Sequence, residues 1–306
     1  MKLKLNEIGF LKTLYKEANQ LSLFSNIDGK LAGGEKESLE KKMVIKDGAV
    51  TKVWGNILAP MANPDRCTRV ILRDGDYLVE KYSYQNDAGL TLVENNGDGE
   101  LQLTLPDGIK PQLLELSKWI GMSNLTSMEI ELELSVAETF ILLALTDLVR
   151  QSIFTGFLKN STAVKLDKQS LLEQLENPAE NSLYSILKVN YEVDIPTAED
   201  IDGIVDSLKD KKLLELVAGE YSMSQDVVVM AMQMLVPQSI LLIENLELNI
   251  DGNLGANSYL AVTAGVKDIL LFAFEGGSIR LISMTSMQLL KLIEDLLLFN
   301  KGESDK

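Results

Sequence analysis

The chain has 306 residues, of which 46% are hydrophobic and 24% charged, and its net charge at neutral pH is −16. That balance belongs to a folded globular chain and not to a disordered one, and the length suits one large domain or two of ordinary size. An acidic surface repels nucleic-acid phosphates and anionic headgroups, which argues against nucleic acid and membrane as partners, and the count of 0 histidines removes the commonest general base and metal ligand.

The first twenty residues read as a short alternating strand, a polar cap and an amphipathic helix: Leu3-Lys4-Leu5-Asn6, then Glu7, then Leu11 to Lys16. Glu7, Lys12, Lys16 and Glu17 interrupt any apolar run, so no signal-peptide core is expected there. The pattern returns at Leu132-Glu133-Leu134-Ser135, then Glu138, then Leu142 to Asp147. Asn6 and Ser135 suit the N-cap position, and the two helices are expected to end at Gln20 and Gln151.

A second pair of segments follows in the same order. Ser38-Leu39-Glu40-Lys41-Lys42-Met43-Val44 matches the stretch from Ser207 to Leu214, and each runs into a glycine turn, at Gly48 and Gly219. Both predict a helix end followed by a small hairpin. Cys67 is the single cysteine, which rules out an internal disulfide, fits a reducing cytoplasmic compartment and predicts a passive thiol.

In the third pair, Leu90 to Val93 turns through Asn95-Asn96-Gly97-Asp98-Gly99 into Glu100 to Leu105, and a helix containing Leu113, Leu116 and Trp119 follows. Near the other end, Leu270 to Phe274 turns through Gly276-Gly277 into Ser278 to Ile282, and a leucine-rich helix again follows. The glycines supply the positive φ of a tight hairpin.

Three matches in one order predict two diverged copies of one unit, residues 1–122 and 129–299, joined through Gly121-Met122-Ser123-Asn124. The second copy carries a helical insertion over residues 154–196, with helices at 168–176 and 182–189. The polar tail 301–306 is expected to fray. The fold class expected is α+β. Its unit is duplicated about a pseudo-two-fold axis, with one joined, mostly antiparallel central sheet and helices around it in a compact body. The most apolar stretch, residues 227–243, is broken by Gln233, Pro237, Gln238 and Ser239 and does not suit a membrane span.

Residues 196–224 resemble half of a winged helix. Its helix carries Glu199, Asp200, Asp202, Asp206 and Asp210 against Lys209, Lys211 and Lys212, which suits a protein-binding unit better than a DNA reader. Asn249, Asp251 and Asn253 have the spacing of the first ligands of a calcium loop, but the glycine falls one place late and Leu260 stands where a glutamate is needed, so a polar hairpin tip is expected. Glu129, Glu131 and Glu133 alternate along a strand, on its solvated face. Phosphate-binding glycine loops and nucleophile elbows are absent from the sequence. No catalytic, cofactor or metal residue is therefore assigned. Met223, Met230, Met232 and Met234, grouped around one apolar stretch, are expected to serve core packing.

The organisation resembles the EspG-type chaperones of type VII (ESX) secretion. The Leu213-Leu214 pair, Gly219, Tyr221 and Met223-Ser224 are similar to the family's helix, Leu-Leu, Gly and aromatic pattern, and residues 279–296 are similar to its late strand and capped leucine helix. The lysine- and asparagine-rich composition departs from typical members. The resemblance implies a cytosolic, non-enzymatic protein built as a pseudo-two-fold sheet flanked by helical bundles. It also implies a small helical secretion substrate as partner, its apolar tip shielded until export. The docking surface expected is the pair of hairpin tips at 82–88, with Tyr82 and Tyr84, and at 251–257, with Asp251, Asn253 and Asn257. The residues leave open a winged-helix transcriptional regulator and a carboxylate–metal enzyme.

Overall fold

The computed structural model describes residues 1–15, 17–27, 33–95, 99–105, 109–158, 164–191, 196–249, 251–265 and 268–298. Residues 96–98 of the first glycine turn and the polar tail 301–306 lie outside the described residues. The chain divides into two units, Met1–Trp119 with Leu241–Ser258 and Leu290–Lys306, and Ile120–Ile240 with Tyr259–Leu289.

The first half of the chain begins with β1 (Lys2–Lys4), α1 (Leu5–Lys12), α2 (Leu23–Asn26) and α3 (Glu35–Lys41). A hairpin, β2 (Ile45–Lys46) and β3 (Ala49–Val50), leads into α4 (Lys52–Ala62). A meander of β4 (Arg66–Asp74), β5 (Tyr77–Asn86), β6 (Gly89–Asn95) and β7 (Glu100–Thr104) closes with α5 (Ile109–Ile120). The second half opens with β8 (Glu131–Ser135), α6 (Val136–Leu158), α7 (Lys168–Glu176), α8 (Leu183–Asn190) and α9 (Ile201–Asp210). The hairpin β9 (Leu214–Val217) and β10 (Glu220–Met223) leads into α10 (Gln225–Gln233). The strands β11 (Pro237–Leu248), β12 (Leu254–Ala264), β13 (Asp268–Glu275) and β14 (Ser278–Met284) precede α11 (Ser286–Leu297).

In the first unit the strand order is β1-β7-β6-β5-β4-β11, and in the second β12-β13-β14-β8. The ladders of β1 with β7, of the β4 to β7 meander, of β13 with β14 and of β14 with β8 are antiparallel. β4 alternates buried and half-buried residues from Arg66 to Leu72, as a strand with one face on a core requires. β13 is buried along Asp268–Ala273, as a strand covered on both faces must be.

The first unit's core gathers Leu3, Ile8 and Leu11 with Phe24, Leu39, Trp54, Leu58, Met61, Val93 and Leu103, so that helices cover one sheet face. In the second unit α6 contacts α7, α8, α9 and α10. α6 is long and apolar enough to cross a bilayer, but 61% of that window is buried, and it is the central helix of a bundle. The α+β class with a large antiparallel sheet and helical bundles follows directly.

A buried carboxylate organises the start of each half. Glu7 accepts from the Lys4 amide at 2.7 Å, from the Ser38 hydroxyl at 2.6 Å and from the Lys42 ammonium at 2.7 Å. Lys42 also donates to the Lys2 carbonyl at 3.3 Å. Glu138 accepts from the Ser135 amide at 2.6 Å, the Ser207 hydroxyl at 2.6 Å and the Lys211 ammonium at 2.8 Å, while Lys211 donates to the Glu133 carbonyl at 3.0 Å. Each lysine is followed by a residue of positive φ, Met43 at 55° and Lys212 at 60°. Each hairpin then turns through a left-handed pair, Asp47-Gly48 and Ala218-Gly219, the arrangement that matches strand twist in a two-residue loop. We propose that this doubled constellation and the shared element order are the two copies, residues 1–122 and 129–299. The helices α7 and α8 fall within the expected insertion.

Some boundaries move. α1 stops at Lys12 and not at Gln20, because the Thr13 hydroxyl takes the Phe10 carbonyl at 2.7 Å and the chain turns to stack Tyr15 on Phe24. Its N-cap is Lys4, and Asn6 lies inside the helix. Ser135 does cap α6, its hydroxyl accepting from the Glu138 amide at 3.2 Å. α6 runs past Gln151 to Leu158, where the Gln151 amide binds the Gln174 side chain on α7 at 2.8 Å.

Burial alone would raise the Glu138 carboxyl, but Lys211, Ser207 and the Ser135 amide together outweigh it and hold it at about 2. The folded value lies below the unfolded one of about 4.3. The stabilisation is therefore complete above the unfolded value and lost as pH falls through the folded one. Glu138→Gln keeps the size and removes the charge. It is expected to lower stability to urea at pH 7 by on the order of 1–3 kcal/mol. The gap from the unaltered protein should close between about pH 4 and pH 2.

Candidate functional site

Tyr82 and Tyr84 lie on β5, two residues apart and therefore on one face, with ring centroids 6.1 Å apart. The expected tip at 82–88 is thus mostly strand, and the turn is confined to Asp87-Ala88. Tyr84 is only 3% exposed and packs in the first unit's core, so its ring is not offered to a partner. Tyr82 is half-buried beneath the Arg69 guanidinium, 5.8 Å from the ring centroid. Arg69 in turn donates to Glu80 at 2.7 Å and to Glu244 at 3.1 Å. Arg69, Tyr82, Tyr84 and Glu244, with Cys67, Gln20 and Leu21, line a cavity of about 180 Å³. Burial pushes the Cys67 thiol up to about 12, against the opposing pull of Tyr84 and Arg69. Burial, then the Glu80 carboxylate, raises the Tyr82 hydroxyl as well. Both shifts keep the Cys67 thiol and the Tyr82 hydroxyl protonated at neutral pH.

The β11–β12 turn is closed by its own backbone. The Asn249 amide donates to the Asn253 carbonyl at 2.9 Å and the Gly252 amide to the Asn249 carbonyl at 2.8 Å, with Gly252 at φ 78°. Ile250 lies outside the described residues. Asp251 and Asn253 are exposed in this turn, and Asn257 is exposed further along, inside β12. Among the described residues no group of His, Cys, Asp or Glu is placed to hold a metal ion.

The winged-helix-like segment is α9 with the β9–β10 hairpin. Two of its three lysines are engaged: Lys209 pairs with Asp206 at 2.8 Å, and Lys211 is turned inward to Glu138. On the same helix Asp202 pairs with Lys168 at 2.7 Å. A phosphate-reading face needs cations directed outward, and this helix directs aspartates there.

A second concave site among the described residues lies in the second unit, and the sequence reading did not find it. Asp147 on α6 accepts from the Leu183 and Tyr184 amides, each at 3.0 Å, and so holds the first turn of α8. Arg150, one turn along α6, pairs with Asp147 and donates to the Leu235 carbonyl at 2.9 Å and the Asn181 carbonyl at 3.4 Å. One buried ion pair thus ties α6, the α7–α8 turn and the α10–β11 turn together. Over it opens a largely apolar cavity of about 280 Å³, with Phe154, Leu235, Val236 and Pro237 in its lining. Phe154 and Val236 are exposed at its rim, and Phe157, one turn beyond Phe154, is 79% exposed. The signal in the sequence was Asp147 and Arg150 themselves, an opposite-charge pair at i,i+3 within an apolar helix. Such a cavity can take an apolar side chain. The carboxylate in its lining, Asp147, is committed to Arg150 and to the two α8 amides.

No family model and no curated protein matches the chain. Among solved structures it is similar to the Mycobacterium tuberculosis type VII secretion system chaperone EspG5, determined in complex with a PE25–PPE41 dimer. The match covers 97% of this chain and 95% of that one, with a TM-score of 0.54 and 9% sequence identity. The chain shares the EspG5 fold. The relationship is one of architecture over nearly the whole length of both chains, at an identity too low to carry individual residues across.

Two outcomes follow from these geometries. Asp147→Ala leaves Arg150 buried without its carboxylate and is expected to cost about 3–5 kcal/mol in urea unfolding. Cys67 in the native protein is expected to react with iodoacetamide at pH 8 at least tenfold more slowly than in the urea-unfolded chain, because its thiolate is scarce until burial is lost.

Proposed function

We propose that this protein is a non-enzymatic binding protein of the cytoplasm, a chaperone or adaptor that holds a small helical protein before export. The observation that carries the reading is the apolar cavity over the Asp147–Arg150 pair, with Phe154, Phe157 and Val236 exposed around it. Monomeric proteins seldom leave aromatic residues grouped beside an apolar hollow without a use for them. The fold shared with EspG5, whose solved complex contains a PE25–PPE41 dimer, supports a protein partner over a small molecule.

A specific complex buries on the order of 1,600 Å², far more than one cavity supplies. The cavity therefore receives an apolar anchor of the partner, and the helical faces beside it carry the remaining area. Asp251, Asn253 and Asn257, exposed in the first unit, are proposed as further polar contacts, with the accessible edge of Tyr82. Tyr84 serves packing.

Affinity capture from the native cell tests the reading. A small helical protein is expected to be retained, and Phe154→Asp or Val236→Asp should weaken its binding by on the order of tenfold or more while leaving thermal unfolding unchanged. Equal binding by both variants would remove the cavity from the interface. Repeated recovery of no such protein by a well-folded bait would remove the chaperone role itself.

A further inference from the structure

We propose that the two carboxylate–lysine clusters are guards on strand edges, and that the contact they hold closed is one between copies of this chain, β8 of one copy against β1 of the next. On β1, Met1 and Leu103 exchange both backbone bonds, at 2.8 and 2.7 Å, so Met1 and Leu3 direct their polar groups at β7. Lys2 and Lys4 consequently direct theirs away from the sheet. On β8, the Ile130 carbonyl accepts from the Ser283 amide at 2.9 Å, which turns Ile130 and Leu132 toward β14 and leaves Glu131, Glu133 and Ser135 facing outward.

These outward groups are where an added strand would bind. The clusters occupy them in the same way on both edges. A lysine ammonium takes an outward carbonyl, Lys42 on Lys2 and Lys211 on Glu133. The glutamate takes the outward amide two residues later, Glu7 on Lys4 and Glu138 on Ser135. An incoming strand would have to displace a lysine paired with a buried carboxylate to reach either.

The side chains on the two edges say which strand would come. β1 exposes Lys2 and Lys4, and β8 exposes Glu131 and Glu133. Pairing β1 with β8 sets opposite charges across from one another, whereas β1 with β1, or β8 with β8, sets like charges together. Lys2 and Glu131 already pair with Glu100 and Arg280, but on exposed surface, where exchange costs little. A contact of unlike edges is heterologous and does not close on a dimer.

The test is light scattering on Lys42→Met, which opens β1 alone, and Lys211→Met, which opens β8 alone. The unaltered protein and each single variant should keep one mass at all concentrations. An equimolar mixture of the two variants should give a species of about twice that mass, and the double variant should grow further with concentration. Adding Glu131→Pro to the double variant removes an outward amide of β8 while sparing the ladder to β14, and it should halt the growth. The proposal is overturned if the mixture and the double variant keep the unaltered mass with native circular dichroism. Growth that Glu131→Pro does not suppress, or an unaltered protein that already grows with concentration, overturns it too. Should the lysine variants not fold, hydrogen exchange in the unaltered protein decides. The Lys4 and Ser135 amides should exchange at least tenfold more slowly than those of Lys2 and Glu131, and equal rates would sink the idea.

Discussion

A carboxylate buried where a strand becomes a helix must find its whole solvation inside the protein, and that requirement shapes both halves of this molecule. Glu7 is 1% exposed and Glu138 is 6% exposed. An unpaired charge at such depth costs several kcal/mol, so each site is viable only when a lysine and a serine from a distant helix arrive together. Their arrival sets α3 beside α1 and α9 beside α6. It also ends each of those helices on a left-handed residue, from which the hairpin departs in one direction. Strand, helix and hairpin are thereby placed by a polar contact, and the apolar residues around them, Leu3 and Leu39 in the one half and Leu134 and Leu208 in the other, fill the space it defines.

The components of these clusters were all legible in the sequence. Glu7 and Glu138 stood in the first pair of matching segments, and Ser38, Lys42, Ser207 and Lys211 in the second. Their contact was not legible, because it closes over intervals of 31 and 69 residues that no local pattern reports. The helix start at Ser182 and the β13–β14 hairpin followed from capping and turn chemistry, which acts over a few residues. Tyr82 and Tyr84 illustrate the opposite case. Their alternation with Lys81 and Ser83 is that of a strand, yet the neighbouring polar residues suggested a loop. Only the ladder to β4, with Tyr84 opposite Cys67, resolves the ambiguity.

The concave site escaped notice for a related reason. Its walls come from α6, from the α7–α8 turn and from the α10–β11 turn, which are brought together by Arg150 reaching two backbone carbonyls. Carbonyls have no signature in a sequence. The charged pair in an apolar helix was visible, but what it organises is a property of the assembled backbone. The similarity to EspG5 has the same character: it is one of fold over nearly the whole chain, at an identity of 9%.

Neither unit is built from one continuous stretch of chain. The first takes in Met1–Trp119 and then, much later, Leu241–Ser258 and Leu290–Lys306. Its strand β4 is bordered by β11, with Arg66 bound to Asn245 at 2.6 Å and the Leu248 amide to the Asp65 carbonyl at 2.7 Å. During synthesis at about 5–20 residues per second, the partner of β4 emerges roughly six to twenty-six seconds after the segment ending at Trp119. Over that interval the nascent chain displays an unpaired strand while the ribosome completes the other unit's helices. The part of the protein that starts first therefore finishes last, and this is the period in which a ribosome-bound folding factor would have most to protect.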